Sequence, residues 1–319
     1  MARRKKQKYS VWAAALILVI LAVSAAFGTR GPAEPASHPA GQSAPAGAQS
    51  AQPDEKPENT KVYYLDVGQG DCELIQLKTG ANILIDSGTG ETAEALVDYI
   101  KNLGIGRIDY LIATHPHEDH IGGMTQIVNN FAIGEIYMPK IPDSQVPTTA
   151  TYEKLLTAID KKSLKITAGK AGITILNSGT EKLEIVAPNS AKYGELNSYS
   201  IVTMLTSGEK RFLFAGDAQS DSEKEMVAKG FNLRCDVLKC GHHGSSTSTS
   251  AAFLKAAAPT AAVISCGVDN DYGHPNKGVV TRLQKAGVTI YRTDQQKTIL
   301  AECDGKSIQF TTGLKSLVK

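Results

Sequence analysis

Cysteine is scarce in this 319-residue chain, and its pattern excludes two common kinds of site. The five cysteines stand apart, none forms a Cys-x-x-Cys pair, and their odd number leaves at least one without a disulfide partner. Neither a paired-cysteine metal site nor a disulfide scaffold is indicated. With 42% hydrophobic and 21% charged residues the chain has a globular balance. We therefore expect the cysteines to be small buried hydrophobic residues.

A strong excess of basic charge is also absent. The formal net charge is +2, and five basic residues with no acid among them precede Tyr9. Removing these five from the 34 basic residues leaves 29 against 32 acidic residues, a net charge of −3. A domain that binds nucleic acid through a strongly basic surface is therefore not indicated. A role on DNA would have to rest on a local basic patch or on a catalytic site that cleaves DNA.

Only one long apolar run is present, at residues 11–28, directly after the basic residues. Its length suits a membrane helix, and a basic start before an apolar run is also typical of a secretory signal peptide. We predict that residues 1–28 are an anchor or a signal peptide, with the remainder extracytoplasmic, either membrane-anchored or secreted. Residues 29–60, rich in Pro, Ala, Gly and Ser, are predicted to be a disordered linker.

From residue 61 onward, short β-rich runs alternate with helical patterns, so residues 61–319 are predicted to form one α/β domain. Strands that alternate with helices are typical of sheets covered by helices. Near the end of the chain two strand patterns form a predicted hairpin, where Asp304 and Gly305 suit a two-residue turn. Apolar residues at helical spacing predict helices over residues 91–103, 122–131, 149–162, 220–229 and 277–286.

The densest group of chemically active residues, THPHEDHIGG, follows an apolar strand pattern at residues 114–123. Three histidines and two acids stand within six residues, and imidazole and carboxylate are ligands of zinc and similar divalent metals. In a loop, His115 and His117 can face one side while Asp119 and His120 reach another, which would hold two ions close together. The alternative is a polar loop that arose by chance.

Three further groups follow apolar strand patterns at their carboxyl ends. Asp217 ends the run FLFAGD, His242 and His243 follow VLKCG, and His274 lies in a loop after AAVISCG. Each is a weak signal alone, because a single His or Asp after a strand is more often structural. Together they indicate that one edge of the sheets gathers these side chains.

These motifs resemble the metallo-β-lactamase fold superfamily through HxHxDH at residues 115–120 and through the aspartate at a strand end. Within it, the sequence is most similar to the metallohydrolase domain of ComEC-type competence proteins, and it is also similar to phosphorylcholine esterases. The resemblance implies a four-layer αβ/βα sandwich with a two-metal site at one edge. It covers nearly all of residues 61–310 through the motifs VGQGDCELI, DSG, THPHEDHIGG, NSYSIV, GDA, GHHGS and YGHP.

The resemblance implies two divalent metal ions, with zinc expected. Their ligands would be His115 and His117 for the first ion, Asp119, His120 and His274 for the second, and Asp217 as the bridge. Many superfamily members have a third histidine on the first metal, but here the matching stretch offers Asn197. An amide oxygen is a harder ligand than imidazole, which would favour manganese over zinc.

The resemblance also implies roles in catalysis for Asp119, His242 and His243. The two histidines would lie over the substrate and stabilise or protonate the leaving oxygen. Asp86 would orient the ligand histidines from behind. For Asp71 the residues suggest only a turn carboxylate that accepts hydrogen bonds from backbone N–H groups.

We therefore expect a two-metal-dependent hydrolase in which a metal-bound hydroxide attacks a phosphoester or phosphodiester, in a small molecule or a polymer. Three alternatives stay open: a lactone or β-lactam hydrolase, a nuclease component of DNA uptake, and a non-catalytic binding protein with a degenerate site. ComEC proteins also carry a multi-helix membrane channel, which a single apolar segment cannot form. Contact with the membrane would come through the N-terminal helix.

Overall fold

The computed structural model describes residues 57–318. The predicted anchor or signal peptide, and the predicted linker up to residue 56, lie outside the described residues. Within residues 57–318, no helix is both long enough and apolar enough to cross a membrane. The first strand begins at Thr60, one residue before the predicted start of the β-rich pattern at residue 61.

Fifteen strands form in the described part of the chain. In chain order they are β1 Thr60–Tyr64, β2 Glu73–Gln76, β3 Asn82–Ile85, β4 Arg107–Ile112, β5 Ala132–Pro139, β6 Ile166–Gly169, β7 Thr174–Ser178, β8 Glu181–Ala187, β9 Val202–Ser207, β10 Lys210–Phe214, β11 Val237–Lys239, β12 Ala261–Ile264, β13 Thr289–Arg292, β14 Thr298–Cys303 and β15 Ile308–Leu314.

These strands form two mixed sheets. The first has the order β15-β14-β1-β2-β3-β4-β5-β6, and the second has the order β13-β12-β11-β10-β9-β8-β7. Strands β3 to β6 are parallel in the first sheet, and β10 to β13 are parallel in the second. Neighbouring parallel strands end at the same edge of a sheet, so the loops after them are brought together.

Eight helices accompany the strands in residues 57–318. Five of them confirm the helices predicted from apolar spacing, to within two residues at each end: α1 Ala93–Asn102, α3 Met124–Asn130, α4 Ala150–Lys161, α5 Ser220–Ala228 and α7 Lys277–Lys285. Three were not predicted: α2 Glu118–Ile121, α6 Ala251–Ala257 and α8 Thr293–Gln296. Helix α6 follows a Ser/Thr-rich stretch, and Ser250 caps it by accepting a hydrogen bond from the Phe253 N–H.

Three apolar clusters hold the layers together, and they confirm the predicted α/β sandwich. The first joins the first sheet to α1, α3 and α4, the second lies between the sheets, and the third joins the second sheet to α5, α6 and α7. Alternation along the strands produces this arrangement. In β3, Leu84 contributes to the first cluster, while Ile83 and Ile85 contribute to the second. All five cysteines are buried and free, as expected.

The C-terminal hairpin differs from its prediction. Cys303 pairs with Ile308, so four residues connect β14 and β15, and the predicted two-residue turn is wrong. The Asp304 carboxylate accepts hydrogen bonds from the backbone N–H groups of Lys306 (2.7 Å) and Ser307 (2.6 Å). This side-chain turn competes with the tight hairpin that Asp-Gly otherwise favours.

We expect Phe253→Ala to lower the free energy of unfolding by about 3–5 kcal/mol, because the ring is fully buried in the third apolar cluster. Val227→Ala on α5 is the control, since that side chain is 37% exposed, and it should change stability by less than about 1 kcal/mol. Urea unfolding of the full chain measures both. Equal losses in the two variants would contradict the packing assigned to α6.

Candidate metal centre

The first part of the site is the loop that follows β4. Thr114 donates two hydrogen bonds to the carboxylate of Asp86, from its backbone N–H (2.8 Å) and from its hydroxyl (2.6 Å). Asp86 itself follows β3, the parallel neighbour of β4. His115 comes next and is fully buried, with its Nε2 3.0 Å from Nδ1 of the half-buried His117.

Helix α2 places the next two predicted residues, Asp119 and His120. The Nδ1 atom of His120 lies 2.7 Å from Asp86 Oδ2, so this carboxylate orients the imidazole and turns Nε2 away from itself. Gly122 follows the helix, and a Cβ at this position would lie 2.3 Å from the backbone nitrogen of Gly90. The glycine in the motif therefore allows the close contact that seats the helix.

The second sheet contributes Asp217 after β10, and His242 and His243 after β11. The backbone N–H of Asp217 donates to the hydroxyl of Ser200 (3.0 Å). Both histidines have a positive φ, 50° for His242 and 53° for His243. Residues other than glycine rarely adopt this conformation, and here it turns two consecutive imidazoles towards the same aspartate.

Asp217 is the centre of the site. Its Oδ1 lies 3.3 Å from His120 Nε2. Its Oδ2 lies 3.8 Å from the Nε2 of His115 and 3.7 Å from the Nε2 atoms of His242 and His243. Residues that are far apart in the chain and belong to different sheets therefore meet around one buried carboxylate.

The donor atoms fit divalent cations. In a tetrahedral zinc site with bonds of about 2.0–2.2 Å, neighbouring ligand atoms lie about 3.3–3.6 Å apart. His120 Nε2 and Asp217 Oδ1 face each other at 3.3 Å, and neither atom has a hydrogen-bond partner within residues 57–318. Buried polar atoms normally have a partner, so this pair is suited to share a bound cation. Four sets of three ligand atoms each lie within 4.8 Å among the described residues, and two of them consist of residues of the predicted site without Asp71: His115, His120 and Asp217, and Asp119, His120 and His243.

Of the two histidines, His243 lies closer than His274 to the predicted ligands of the second metal, although His274 was the predicted ligand. His243 Nε2 lies 3.2 Å from Asp119 Oδ2, and its Nδ1 lies 3.0 Å from the backbone oxygen of Ser265. His274 lies farther out, with its ring centre 5.6 Å from that of His242 and 6.0 Å from that of His243. His274 belongs to none of the close ligand sets formed by the described residues. The ligand role of His274 and the substrate-facing role of His243 stay predictions.

Asn197 lies on a short 3-10 turn beside the cluster. Its Nδ2 is 3.1 Å from His242 Nε2. Its Oδ1 is buried and has no hydrogen-bond partner in the described part of the chain. An amide oxygen without a partner is available as a metal ligand, and the predicted ligand role of Asn197 stays a prediction.

The electrostatics of the site favour positive charge. Burial raises the pKa of the Asp217 carboxyl, but the cationic forms of His120 and His243 outweigh burial and hold that pKa well below its usual range. Burial lowers the pKa of His243, whereas Asp217 and Asp71 raise it, to about 10. For His115, burial and the neighbouring His120 hold the pKa well below its usual value. The buried Asp217 carboxylate therefore stays ionised and attracts a cation, whether a proton or a metal.

Lys239 is a residue of the site that the sequence analysis missed. Its side chain is 1% exposed, and its Nζ forms an ion pair with the carboxylate of Asp71. Asp71 Oδ1 in turn lies 3.4 Å from His243 Nδ1. Asp71 thus contacts an ammonium and an imidazole behind the candidate ligands, rather than the N–H groups of its own turn. The sequence feature that could have predicted this pair is the lysine inside the apolar strand run DVLKC. Lysine is almost never buried without a partner, so an acidic partner could have been expected.

A profile of the Metallo-beta-lactamase superfamily matches residues 65–268, which include every site residue described above except His274. The chain belongs to the metallo-beta-lactamase superfamily. Its two-sheet sandwich and its histidine and aspartate cluster agree with this membership.

Curated relatives of this superfamily member confirm the resemblance to competence proteins. ComE operon protein 3 of Bacillus subtilis (strain 168) is 29% identical over 258 residues, which is 75% of this chain and 32% of the relative. Competence protein ComA of Neisseria gonorrhoeae is 32% identical over 290 residues, which is 90% of this chain and 39% of the relative. The chain therefore spans about a third of the length of these relatives.

A solved structure shares the fold. A metallo hydrolase from the archaeon Ignicoccus hospitalis KIN4/I aligns with a TM-score of 0.50 and 16% identity. The alignment covers 76% of this chain and 98% of that protein. At this level of identity, the likeness concerns the fold alone.

We expect Asp217→Asn and His117→Ala to reduce the bound metal, because the first removes the carboxylate shared by four imidazoles and the second removes a neighbouring imidazole. Elemental analysis of the purified full chain measures the stoichiometry. Asp143→Asn, at an exposed loop position, is the control and should bind metal like the parent protein. Unchanged metal content in both site variants would show that the cluster is not the metal centre.

We expect Lys239→Met to lower the free energy of unfolding by about 3–5 kcal/mol, because it leaves the buried Asp71 carboxylate unpaired. The double variant Lys239→Met/Asp71→Asn removes both charges and should recover at least half of that loss. Urea unfolding in the presence of a chelator measures both variants without a contribution from metal. A double variant as unstable as the single one would contradict the pairing.

Proposed function

We propose that this protein is a two-metal-dependent hydrolase that cleaves phosphoesters, in particular phosphodiesters. The observation that carries the proposal is the buried pair of His120 Nε2 and Asp217 Oδ1, 3.3 Å apart and without hydrogen-bond partners in residues 57–318. The two atoms can form an ion pair when His120 is cationic, but neither forms a hydrogen bond, and an unmade hydrogen bond at a buried polar atom costs about 1–3 kcal/mol. Bound divalent cations would satisfy them, lower the pKa of water towards neutrality and neutralise charge on the ester oxygens.

The ligand sets that we assign differ in one respect from the family-based expectation. The first ion would be held by His115, His117 and Asp217, and the second by Asp119, His120, His243 and Asp217. His243 replaces His274 because its Nε2 lies 3.2 Å from Asp119 and 3.7 Å from Asp217. Nitrogen and carboxylate ligands suit zinc, and Asn197 as a further oxygen ligand would shift the preference towards manganese.

We assign protonation of the leaving oxygen to His242. In the hydrolysis of a phosphodiester, the oxygen of water bonds to phosphorus, the bond from phosphorus to the leaving oxygen breaks, and that oxygen takes a proton. The His242 side chain is 21% exposed and lies 3.7 Å from Asp217. It is therefore more open to a substrate than the buried His115, His120 and His243.

The names of the relatives support phosphodiesters over lactones and β-lactams. Competence involves DNA, which is a phosphodiester, and a relative named as a competence protein matches 90% of this chain. A nuclease component of DNA uptake is therefore the second candidate function. We also propose that the site works outside the cytoplasm, since residues 1–28 are predicted to be an anchor or a signal peptide.

We expect the full chain, loaded with zinc or manganese, to hydrolyse bis(p-nitrophenyl) phosphate and to lose this activity on chelation. The same preparations are tested on single- and double-stranded DNA, a lactone and a chromogenic cephalosporin. Preferential cleavage of DNA would favour the competence nuclease. Turnover of the lactone or the cephalosporin alone would contradict the proposed substrate class, and two bound metals with no turnover would support a binding protein.

We expect His242→Ala to reduce kcat by about 10²–10⁴-fold on phosphodiesters with an alkyl leaving group, because the leaving alkoxide needs a proton. On p-nitrophenyl esters the loss should be much smaller, since p-nitrophenolate leaves without protonation. Steady-state kinetics on the two substrates measures the difference, and elemental analysis checks that metal content is retained. Equal losses on both leaving groups would contradict the proton-donor role.

A further inference from the structure

A cavity of about 400 Å³ lies at the edge of the sandwich that also carries the metal centre. It is lined by Lys140 after β5, Lys170 after β6 and Pro188 after β8. Strands β4, β5 and β6 are parallel to one another, and β8 and β10 both run antiparallel to β9. The cavity residues therefore follow their strands at the same edge as His115 after β4 and Asp217 after β10.

The buried side chain of Ile201 connects this cavity to the metal centre. Gly169, in the cavity wall, packs so closely on Ile201 that a Cβ at the glycine would lie 2.3 Å from Ile201 Cδ1. The backbone N–H of Ile201 donates a hydrogen bond to the oxygen of Thr114 (2.9 Å), the residue before His115. Ser200, the residue before Ile201, places its Oγ 3.4 Å from His115 Nδ1. One residue thus contacts both the cavity wall and the segment that holds a candidate ligand.

The register of the sheet gives the spacing between the cavity and the centre. Ile112 in β4 pairs with Tyr137 in β5, and His115 and Lys140 each lie three residues beyond this pair. Strand β6 is the next neighbour of β5, and Lys170 directly follows it. Because neighbouring strands lie about 4.8 Å apart, the two lysine positions are displaced from that of His115 by roughly 5 and 10 Å across the sheet. A small molecule held at the centre can span this distance.

The two lysines give the cavity a positive charge. Lys140 and Lys170 are exposed, and neither ammonium forms an ion pair with a carboxylate of residues 57–318. The carboxylate of Glu225 accepts hydrogen bonds from the hydroxyl groups of Tyr193 and of Ser190 in the cavity wall. Lysine binds phosphate groups as a point charge. Two lysines that lack acidic partners at one cavity therefore suit an anionic group.

We propose that Lys140 and Lys170 bind a second phosphate group of the substrate molecule, so that the enzyme prefers phosphodiesters that carry a further phosphate near the one it cleaves. This inference rests on the proposed phosphodiesterase function and names its substrate class. The position of the lysines carries it, because exposed lysines also occur away from the centre. Lys101 at the end of α1 and Lys161 at the end of α4 precede β4 and β6, and therefore lie towards the opposite edge of the sheet.

The test compares thymidine 5′-phosphate with thymidine 3′,5′-bisphosphate by calorimetric titration of the metal-loaded full chain. We expect the parent protein to bind the bisphosphate about 3–10-fold more tightly, which corresponds to two solvent-exposed ion pairs. Lys140→Gln/Lys170→Gln should bring the ratio of the two affinities close to one. Lys140→Arg/Lys170→Arg keeps both charges and should retain the preference. Lys101→Gln/Lys161→Gln removes the same charge from the opposite edge and is the control, with the parent ratio expected.

The proposal is overturned if the parent protein does not prefer the bisphosphate, if neither ligand binds, or if Lys140→Gln/Lys170→Gln keeps the preference. Equal losses in this variant and in the control would show an effect of net charge and would also overturn it. The titration needs no turnover, so it separates the two proposals. A preference for the bisphosphate in a protein that hydrolyses no phosphodiester would contradict the proposed function and leave the phosphate site in place.

Discussion

The burial of several carboxylates at one edge of the sandwich is the constraint on which the rest of the site depends. Asp71, Asp86 and Asp217 are all buried, and an ionised carboxylate away from water is costly unless positive charge compensates it. Lys239 compensates one of them, and Thr114 and His120 bind another. Asp217 is left with imidazoles alone, which explains why the centre is suited to metal cations.

Each of the two sheets supplies part of the metal centre. The first sheet supplies the HxHxDH loop and the carboxylate that orients His120, and the second supplies Asp217 and the paired histidines. Neither sheet alone supplies all the residues of the cluster. The site therefore depends on the apolar cluster between the sheets, in which side chains such as Ile85 and Phe214 set the distance between the two halves.

Much of the fold and part of the site could be predicted from local patterns. Five helices followed from apolar spacing, and the HxHxDH motif stood out because ligand residues are so dense there. Helix α6 was missed because serine and threonine precede it, although Ser250 provides its cap. The hairpin turn was wrong because the Asp304 side chain forms its own turn with the backbone. In both cases, hydrogen bonds between side chains and the backbone set a local structure other than the one that the residue types usually favour.

The sequence by itself determined the superfamily, the sandwich class and the set of residues that could bind metal, because these depend on periodicity and on motifs of adjacent residues. Only the tertiary structure decided that His243 lies closer than His274 to the ligand cluster and that Lys239 pairs with Asp71. These relations join residues on different strands and loops. Their distances depend on how the two sheets pack and on the backbone conformation after each strand, which no local pattern encodes.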